Sequence, residues 1–210
     1  MPARIRIDRL LVERGLFESR AKAQAAIAAG LVTADDVPVA KPSAEISAEA
    51  VIRAEPAFPW VSRAGVKLAH ALDRLGFDVT GRVGLDVGAS TGGFTDCLLQ
   101  RGAPRVAAVD VAYGQIDARL RKDRRVIVVE RQNGRSLAPA DLPFLASLAT
   151  IDVSFISLTK ILPAVASCLA PGGEVLAMVK PQFELEKGRV GRGVVRDPAD
   201  RQEAILKVAL

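Results

Sequence analysis

The chain has 210 residues, half of them hydrophobic, and a formal charge of +5, enough for a medium domain and a small one around real cores. One histidine and two cysteines without paired spacing, Cys97 and Cys168, exclude a Cys/His zinc site, and no metal is expected. Met1–Leu10 has no secretory pattern and no apolar run nears a membrane span, so the expected location is the cytoplasm, with no membrane partner.

In chain order, "DRLLVERG" (8–15) and "SRAKAQAAIAAG" (19–30) predict two short helices. Asp8 and Ser19 fit helix N-caps, and Gly15 and Gly30 fit the stops. Three β-like pieces follow at 31–33, 37–40 and 50–55, with the turn "ADD" after the first. Arg4, Arg6, Arg9, Arg20 and Lys22 concentrate near the helices. Asp35, Asp36, Glu45, Glu49 and Glu55 cancel most of that charge, so any RNA-binding surface is a local patch. A plain helical hairpin with a solvated face is the bland alternative. "EPAFPW" (55–60) has two prolines and reads as a linker. The expected boundaries are a small α+β domain at 1–55, a linker at 56–61, and a second domain at 62–210.

"SRAGVKLAHALDRLG" (62–76) predicts a helix capped by Ser62, with Leu68, Leu72 and Leu75 on its buried face. Arg63, Lys67, His70 and Arg74 share another face, which suits phosphates or merely solvent. Strands are expected at 82–88, 105–111, 125–131, 149–154 and 173–180, with helices at 92–103 and 159–171 between them. The strand runs are apolar without alternation, so both faces are covered, as in a parallel, doubly wound α/β sheet.

"GASTG" (88–92) fits two motifs. As a hydrolase elbow it needs a histidine after Ser90, and the one histidine, His70, precedes it. As a dinucleotide loop it lacks the middle glycine, replaced by Ser90. No G-K-[ST] follows, so a triphosphate is not expected. What remains is a Gly-rich turn between two acidic strand ends, Asp86 and Asp110, the second suited to a ribose diol. A nucleoside with a charged, phosphate-free tail fits, and S-adenosylmethionine is the candidate. A tight turn with no ligand is the alternative. Asp86, Asp110, Asp152 and Lys180 all fall near strand carboxyl ends, where ligands of open α/β sheets bind. Methyl transfer to a ribose hydroxyl needs a base, and lysine serves as one where burial and a second cation favour its neutral form. Lys180 and Lys67 are the two available.

"EKGRVGRGVVRD" (186–197), with Lys187, Arg189, Arg192 and Arg196, is expected either to clamp substrate RNA or to be a solvated loop. Cys97, Cys168 and Phe94 are expected in the core, Phe94 and Phe155 alternatively in a cleft wall. "DPADRQEAILKVAL" (197–210) starts a helix at Asp197 and Pro198 with an apolar stripe at Ala204, Ile205, Val208 and Ala209. A sheet of this type normally continues after such a helix, so the expectation is a chain truncated before its last strands.

The motifs "SRAGVKL", "LDVGASTGGFTDCLL", "AVDVAYGQ", "ERQNGR", "DVSFISL" and "MVKPQFE" resemble the TlyA family of FtsJ-like ribosomal RNA 2′-O-methyltransferases, some of them called haemolysins. The resemblance runs the length of the chain. Its first fifty-odd residues resemble the RNA-binding domain of ribosomal protein S-four, pseudouridine synthases and tyrosyl-tRNA synthetase. The resemblance implies a Rossmann-like methyltransferase domain and ribosomal RNA or a ribosomal subunit as partner. It implies S-adenosylmethionine at Gly88, Ala89, Ser90, Thr91, Gly92 and Gly93, beside Phe94, at Asp110, and at Gln132 and Asn133 near adenine. Of a Lys-Asp-Lys-Glu tetrad, Lys67, Asp152 and Lys180 match, with Lys180 activating the hydroxyl; the glutamate has no match. That gap keeps a non-catalytic RNA-binding or ribosome-assembly factor as the rival. A membrane-active haemolysin has no amphipathic or apolar segment behind it.

Overall fold

The computed structural model describes residues 3–190 and 193–209, with Lys187 described by its backbone only. The chain divides into two compact units, Met1–Pro59 and Trp60–Leu210.

The first unit runs β1 (Arg4–Arg6), α1 (Ile7–Glu13), α2 (Arg20–Ala28), β2 (Val32–Ala34), β3 (Val37–Pro38), β4 (Glu45–Ser47) and β5 (Ile52–Ala54). β2 lies between β3 and β5, and β1 pairs antiparallel with β4. The sequence reading lacks β1 and β4, because three-residue strands with a partner some forty positions away carry no local period. The helix pair closes over Ile7, Leu11, Phe17, Ala23, Ile27 and Val32. Ser19 caps α2, its hydroxyl accepting from the Lys22 N–H, a contact worth about 1 kcal/mol. Asp8 is not a cap: α1 starts one residue earlier, and the Asp8 side chain is fully buried.

The second unit runs α3 (Arg63–Leu75), β6 (Gly84–Val87), α4 (Gly93–Gln100), β7 (Val106–Asp110), α5 (Ala118–Lys122), β8 (Val126–Glu130), β9 (Ala146–Ile151), α6 (Leu162–Ser167), β10 (Leu169–Ala177), α7 (Pro181–Glu184) and α8 (Pro198–Ala209). The sheet is parallel in the order β10-β9-β6-β7-β8. One core layer holds Leu68, Leu72, Phe94, Leu98, Val106 and Leu148, the other Leu85, Val87, Ile151, Leu158, Ile161 and Val165. A core on each face is why the strands read as continuous apolar runs.

Several boundaries differ from the sequence reading. The helix expected at 159–171 is short, because β10 already starts at Leu169, with a register irregularity before Glu174. α5 was not legible, since its five residues are mostly charged and only Leu120 is buried. Leu75 is 62% exposed: the apolar stripe of α3 ends a turn early, before the left-handed stop at Gly76. On α8, Asp197 accepts from the Ala199 N–H and Ala204 is buried, but Ile205 is exposed. No helix among the described residues is long and apolar enough to cross a membrane.

Candidate active site

β6 and β9 are parallel neighbours whose chains leave in opposite directions, β7 and β8 lying beyond one and β10 beyond the other. Such a switch point opens a crevice at the strand carboxyl ends. Here Val87 is level with Ile151, so Gly88 and Asp152 emerge side by side. A Cβ on Gly88 would stand 2.8 Å from the Asp152 carbonyl oxygen, and its φ is +87°. Only glycine permits this crossing.

The next turn is pinned from β7. The Asp110 carboxylate accepts from the Ser90 N–H at 2.7 Å and the Ala112 N–H at 2.8 Å. Ser90 itself is left-handed, with φ +49°. The resulting cleft, about 610 Å³, is lined by Gly88, Ser90, Asp110, Gln115, Gln132 and Asn133, among others. A second hollow of about 270 Å³ adjoins it at Gly88 and Ser90, with Ala89, Thr91, Phe94, Asp152, Ser154 and Lys180 in its wall. Phe155, expected in the core or a cleft wall, lines the larger cleft and is 91% exposed.

Three expected ligand contacts do not reach either hollow. Gly92 and Gly93 serve packing instead: a Cβ would meet Leu120 at 2.3 Å on the first and the Ser62 hydroxyl at 2.2 Å on the second. Asp86 lies before the strand end and points into the core, accepting from Thr95 Oγ1 at 2.7 Å and Thr150 Oγ1 at 3.4 Å. With no cation paired to it among the described residues, burial pushes its carboxyl up to about 7.

The charged groups converge at the smaller hollow. Lys180 Nζ lies 2.6 Å from Asp152 Oδ1 and donates to Ser154 Oγ at 2.9 Å. Lys67 Nζ is 4.0 Å from Asp152 Oδ2. Asp152 Oδ1 is buried and has no aligned hydrogen-bond donor among the described residues, so its contact with Lys180 is a Coulombic pair rather than a closed hydrogen bond. Lys180 is 19% exposed and Lys67 55%, so one lysine is held and the other has room to move.

Glu184, which sequence reasoning missed, braces this corner. Its buried carboxylate accepts from Ser157 Oγ at 2.5 Å and the Leu158 N–H at 2.8 Å. It thereby ties the segment after Lys180 to the loop after Asp152. The motif "MVKPQFE" contains the glutamate, but nothing local names partners some 26 residues away.

The expected RNA-binding cations are mostly engaged. Arg4 donates to the Glu45 carbonyl, Arg9 pairs with Glu13 and Lys22 with Glu18. Arg6 and Arg20 share Asp8. Arg63 is exposed on α3. Arg189 is turned onto α8 by Asp200 and Glu203, which neutralise the charge expected to clamp RNA. Arg192 lies outside the described residues.

Residues 60–209 match the model of the FtsJ-like methyltransferases, and residues 5–52 match that of the S4 domain. The chain belongs to the FtsJ-like methyltransferase family. It is 45% identical over 212 residues to TlyA of Mycobacterium tuberculosis, a 16S/23S rRNA (cytidine-2′-O)-methyltransferase, a match covering 100% of this chain and 79% of that one. It is 48% identical over 207 residues to YqxC of Bacillus subtilis, covering 97% and 73% respectively. Among solved structures, a hemolysin-named protein of Streptococcus thermophilus aligns with a TM-score of 0.74 at 42% identity, over 100% of this chain and 77% of that one.

The methyl donor of an FtsJ-like methyltransferase is S-adenosylmethionine, and the cleft suits it. Its wall carries two carboxylates, Asp110 and Asp152, three primary amides, Gln115, Gln132 and Asn133, and no lysine or arginine among the described residues. That donor set favours a cationic nucleoside over a phosphorylated one. Both Asp110 oxygens keep a lone pair beyond their backbone contacts, enough to accept from a ribose diol.

Proposed function

We propose that the chain methylates a ribose 2′-hydroxyl of ribosomal RNA, in the cytoplasm, with the S4 unit gripping the RNA and the FtsJ-like unit performing the transfer. The observation that carries this reading is Asp152, standing between Lys180 and Lys67 where the smaller hollow adjoins the cation-free cleft.

Bound S-adenosylmethionine supplies a methyl group on a sulfonium, with a neutral thioether as leaving group. The protein's task is to align a hydroxyl with that methyl and take its proton. Asp110 would hold the nucleoside sugar, Gln132 and Asn133 would face the base, and the Gly88–Thr91 backbone would line the tail. In its neutral amine form Lys180 takes the proton of the acceptor hydroxyl, Asp152 and Ser154 then hold the ammonium group so formed, and Lys67 steadies the acceptor from the open side. Glu184 keeps the two loops in register. Arg4, Arg6, Arg9, Arg20, Lys22 and Arg63 supply the cations for the RNA backbone.

The test is transfer of tritiated methyl from S-adenosylmethionine to isolated ribosomal subunits and to naked ribosomal RNA, followed by mapping of the modified nucleotide. Label on a ribose oxygen is the expected result. Binding of cofactor and RNA without transfer supports the non-catalytic rival, and label on a base overturns the assignment of the acceptor.

A further inference from the structure

The RNA-facing cations of the first unit are not equivalent. Asp8 lies in the first turn of α1 with its side chain fully out of water. Four donors converge on it. Arg6 binds in a fork, Nε to Oδ1 at 3.1 Å and Nη2 to Oδ2 at 3.0 Å. Arg20 Nη2 reaches Oδ2 at 2.7 Å from α2, and Gln24 Nε2 reaches the same oxygen at 2.9 Å. The two arginine side chains are 47% and 56% exposed. The carboxylate therefore sits behind its two guanidinium groups, which stand between it and solvent.

Arg9 and Lys22 are paired differently. Their partners, Glu13 and Glu18, are 43% and 52% exposed, so each negative charge sits at the surface beside its cation and repels an incoming phosphate. The Asp8 carboxylate presents nothing to solvent. A guanidinium has five N–H groups. Toward Asp8, Arg6 uses two of them and Arg20 one, so both keep donors for an outside acceptor. Two cations on one buried anion leave a net positive charge on a geometry fixed from below. Arginine held in this way loses little rotamer freedom on binding, the usual cost of recruiting a long side chain.

We infer that Asp8 is a positioning residue for RNA recognition: it sets Arg6 and Arg20 side by side as one phosphodiester clamp, which outweighs the surface-paired Arg9 and Lys22. This rests on the proposed RNA-binding role of the first unit.

The charge arithmetic makes the inference testable, because two accounts predict opposite signs. Asp8→Asn adds one positive charge to the patch, so long-range attraction alone predicts tighter RNA binding and a steeper salt dependence. Positioning predicts weaker binding, because the fork on Arg6 and the link to Arg20 are broken. The experiment measures affinity of the full chain for naked ribosomal RNA across a salt series, with S-adenosylmethionine affinity as a control on the second unit and thermal unfolding as a control on the first. Asp8→Asn is expected to weaken RNA binding about tenfold, within the range of a lost charge-assisted contact. Arg6→Ala and Arg20→Ala should each lower the salt slope by about 0.7–0.9. Their combined loss should differ from the sum of the single losses, since one clamp holds both, and Arg9→Ala should lose less than either. A folded Asp8→Asn chain that binds as tightly as the unaltered one, or tighter, overturns the inference. Should Asp8→Asn unfold the unit, the Arg6/Arg20 cycle decides: coupled losses support the clamp and additive losses overturn it. An unaltered chain that fails to bind RNA overturns the RNA reading itself.

Discussion

In the helix pair of the first unit, Asp8 is out of water and both its oxygens receive aligned donors from Arg6, Arg20 and Gln24. At the strand ends of the second unit, Asp152 is also largely out of water, yet Oδ1 has a lysine beside it and no aligned donor. A closed network holds a shape. The Arg6 hydrogen bonds keep the Asp8 carboxyl well below the usual carboxylate range against the opposing cost of burial. An open one leaves bonding capacity for a third party. Asp86 is a third case, buried against the two threonine hydroxyls and the Thr95 backbone, and burial pushes its carboxyl up to about 7. The same residue type thus sits in a closed network, an open one or an uncharged pocket according to its donors.

The largest effect should come from breaking the open network. Asp152→Ala removes the charge between Lys180 and Lys67, and methyl transfer should fall by roughly 10²–10⁴-fold, the usual reach of a general-base arrangement. Single-turnover rates with RNA bound check this, and a loss under tenfold would place the reaction elsewhere.

Asp86 sharpens the third case. Its folded carboxyl is raised above the ordinary value of 3.8 to about 7 by burial. The folded state therefore binds the proton more tightly than the unfolded one. This contribution to stability is complete below about pH 4 and lost as pH rises through about 7. Asp86→Asn removes the titration, so between pH 4 and pH 8 the wild type should lose up to about 4 kcal/mol relative to the variant. Parallel denaturant curves for the two proteins would expose the idea as wrong.

Gly88→Ala tests the crossing beneath Asp152. The new Cβ would press on the Asp152 carbonyl at 2.8 Å from a left-handed backbone, a strain of about 1–3 kcal/mol. The unfolding temperature and transfer rate should both fall, and a variant unchanged in both would show that the crossing relaxes freely. Asp110→Ala should have the smallest effect, weakening S-adenosylmethionine about tenfold, near 1.4 kcal/mol. Calorimetry reads this directly, and unchanged affinity would put the ribose elsewhere. Part of that loss comes through Ser90, whose N–H also depends on Asp110.

The sheet, the Gly-rich turn and the Asp110 and Asp152 positions were legible because each follows an apolar run and sits at a strand end; Lys180 follows such a run too, but β10 stops at Ala177, three residues before it. Features that depend on distant partners were not. Asp8 looks like a cap from its neighbours, and only Arg20 on α2, twelve residues on, shows that it is a hub. Glu184 had no local signal at all. Asp86 stands in the same motif as Gly88, but the pleat of β6 turns it toward Thr95 and away from the cleft. Arg189 lies in a basic loop, and only the carboxylates of α8 show that its charge is already matched.

The most direct test of the central claim is Lys180→Ala, followed by two readings on the same preparation: the single-turnover rate of methyl transfer to ribosomal RNA and the calorimetric affinity for S-adenosylmethionine. Lys180 touches Asp152 and Ser154 at the edge of the smaller hollow, outside the wall of the nucleoside cleft. The account predicts a rate lowered by about 10²-fold or more with cofactor affinity unchanged within about twofold. A rate within a few-fold of the unaltered protein, with the methyl still on the same ribose, would contradict it.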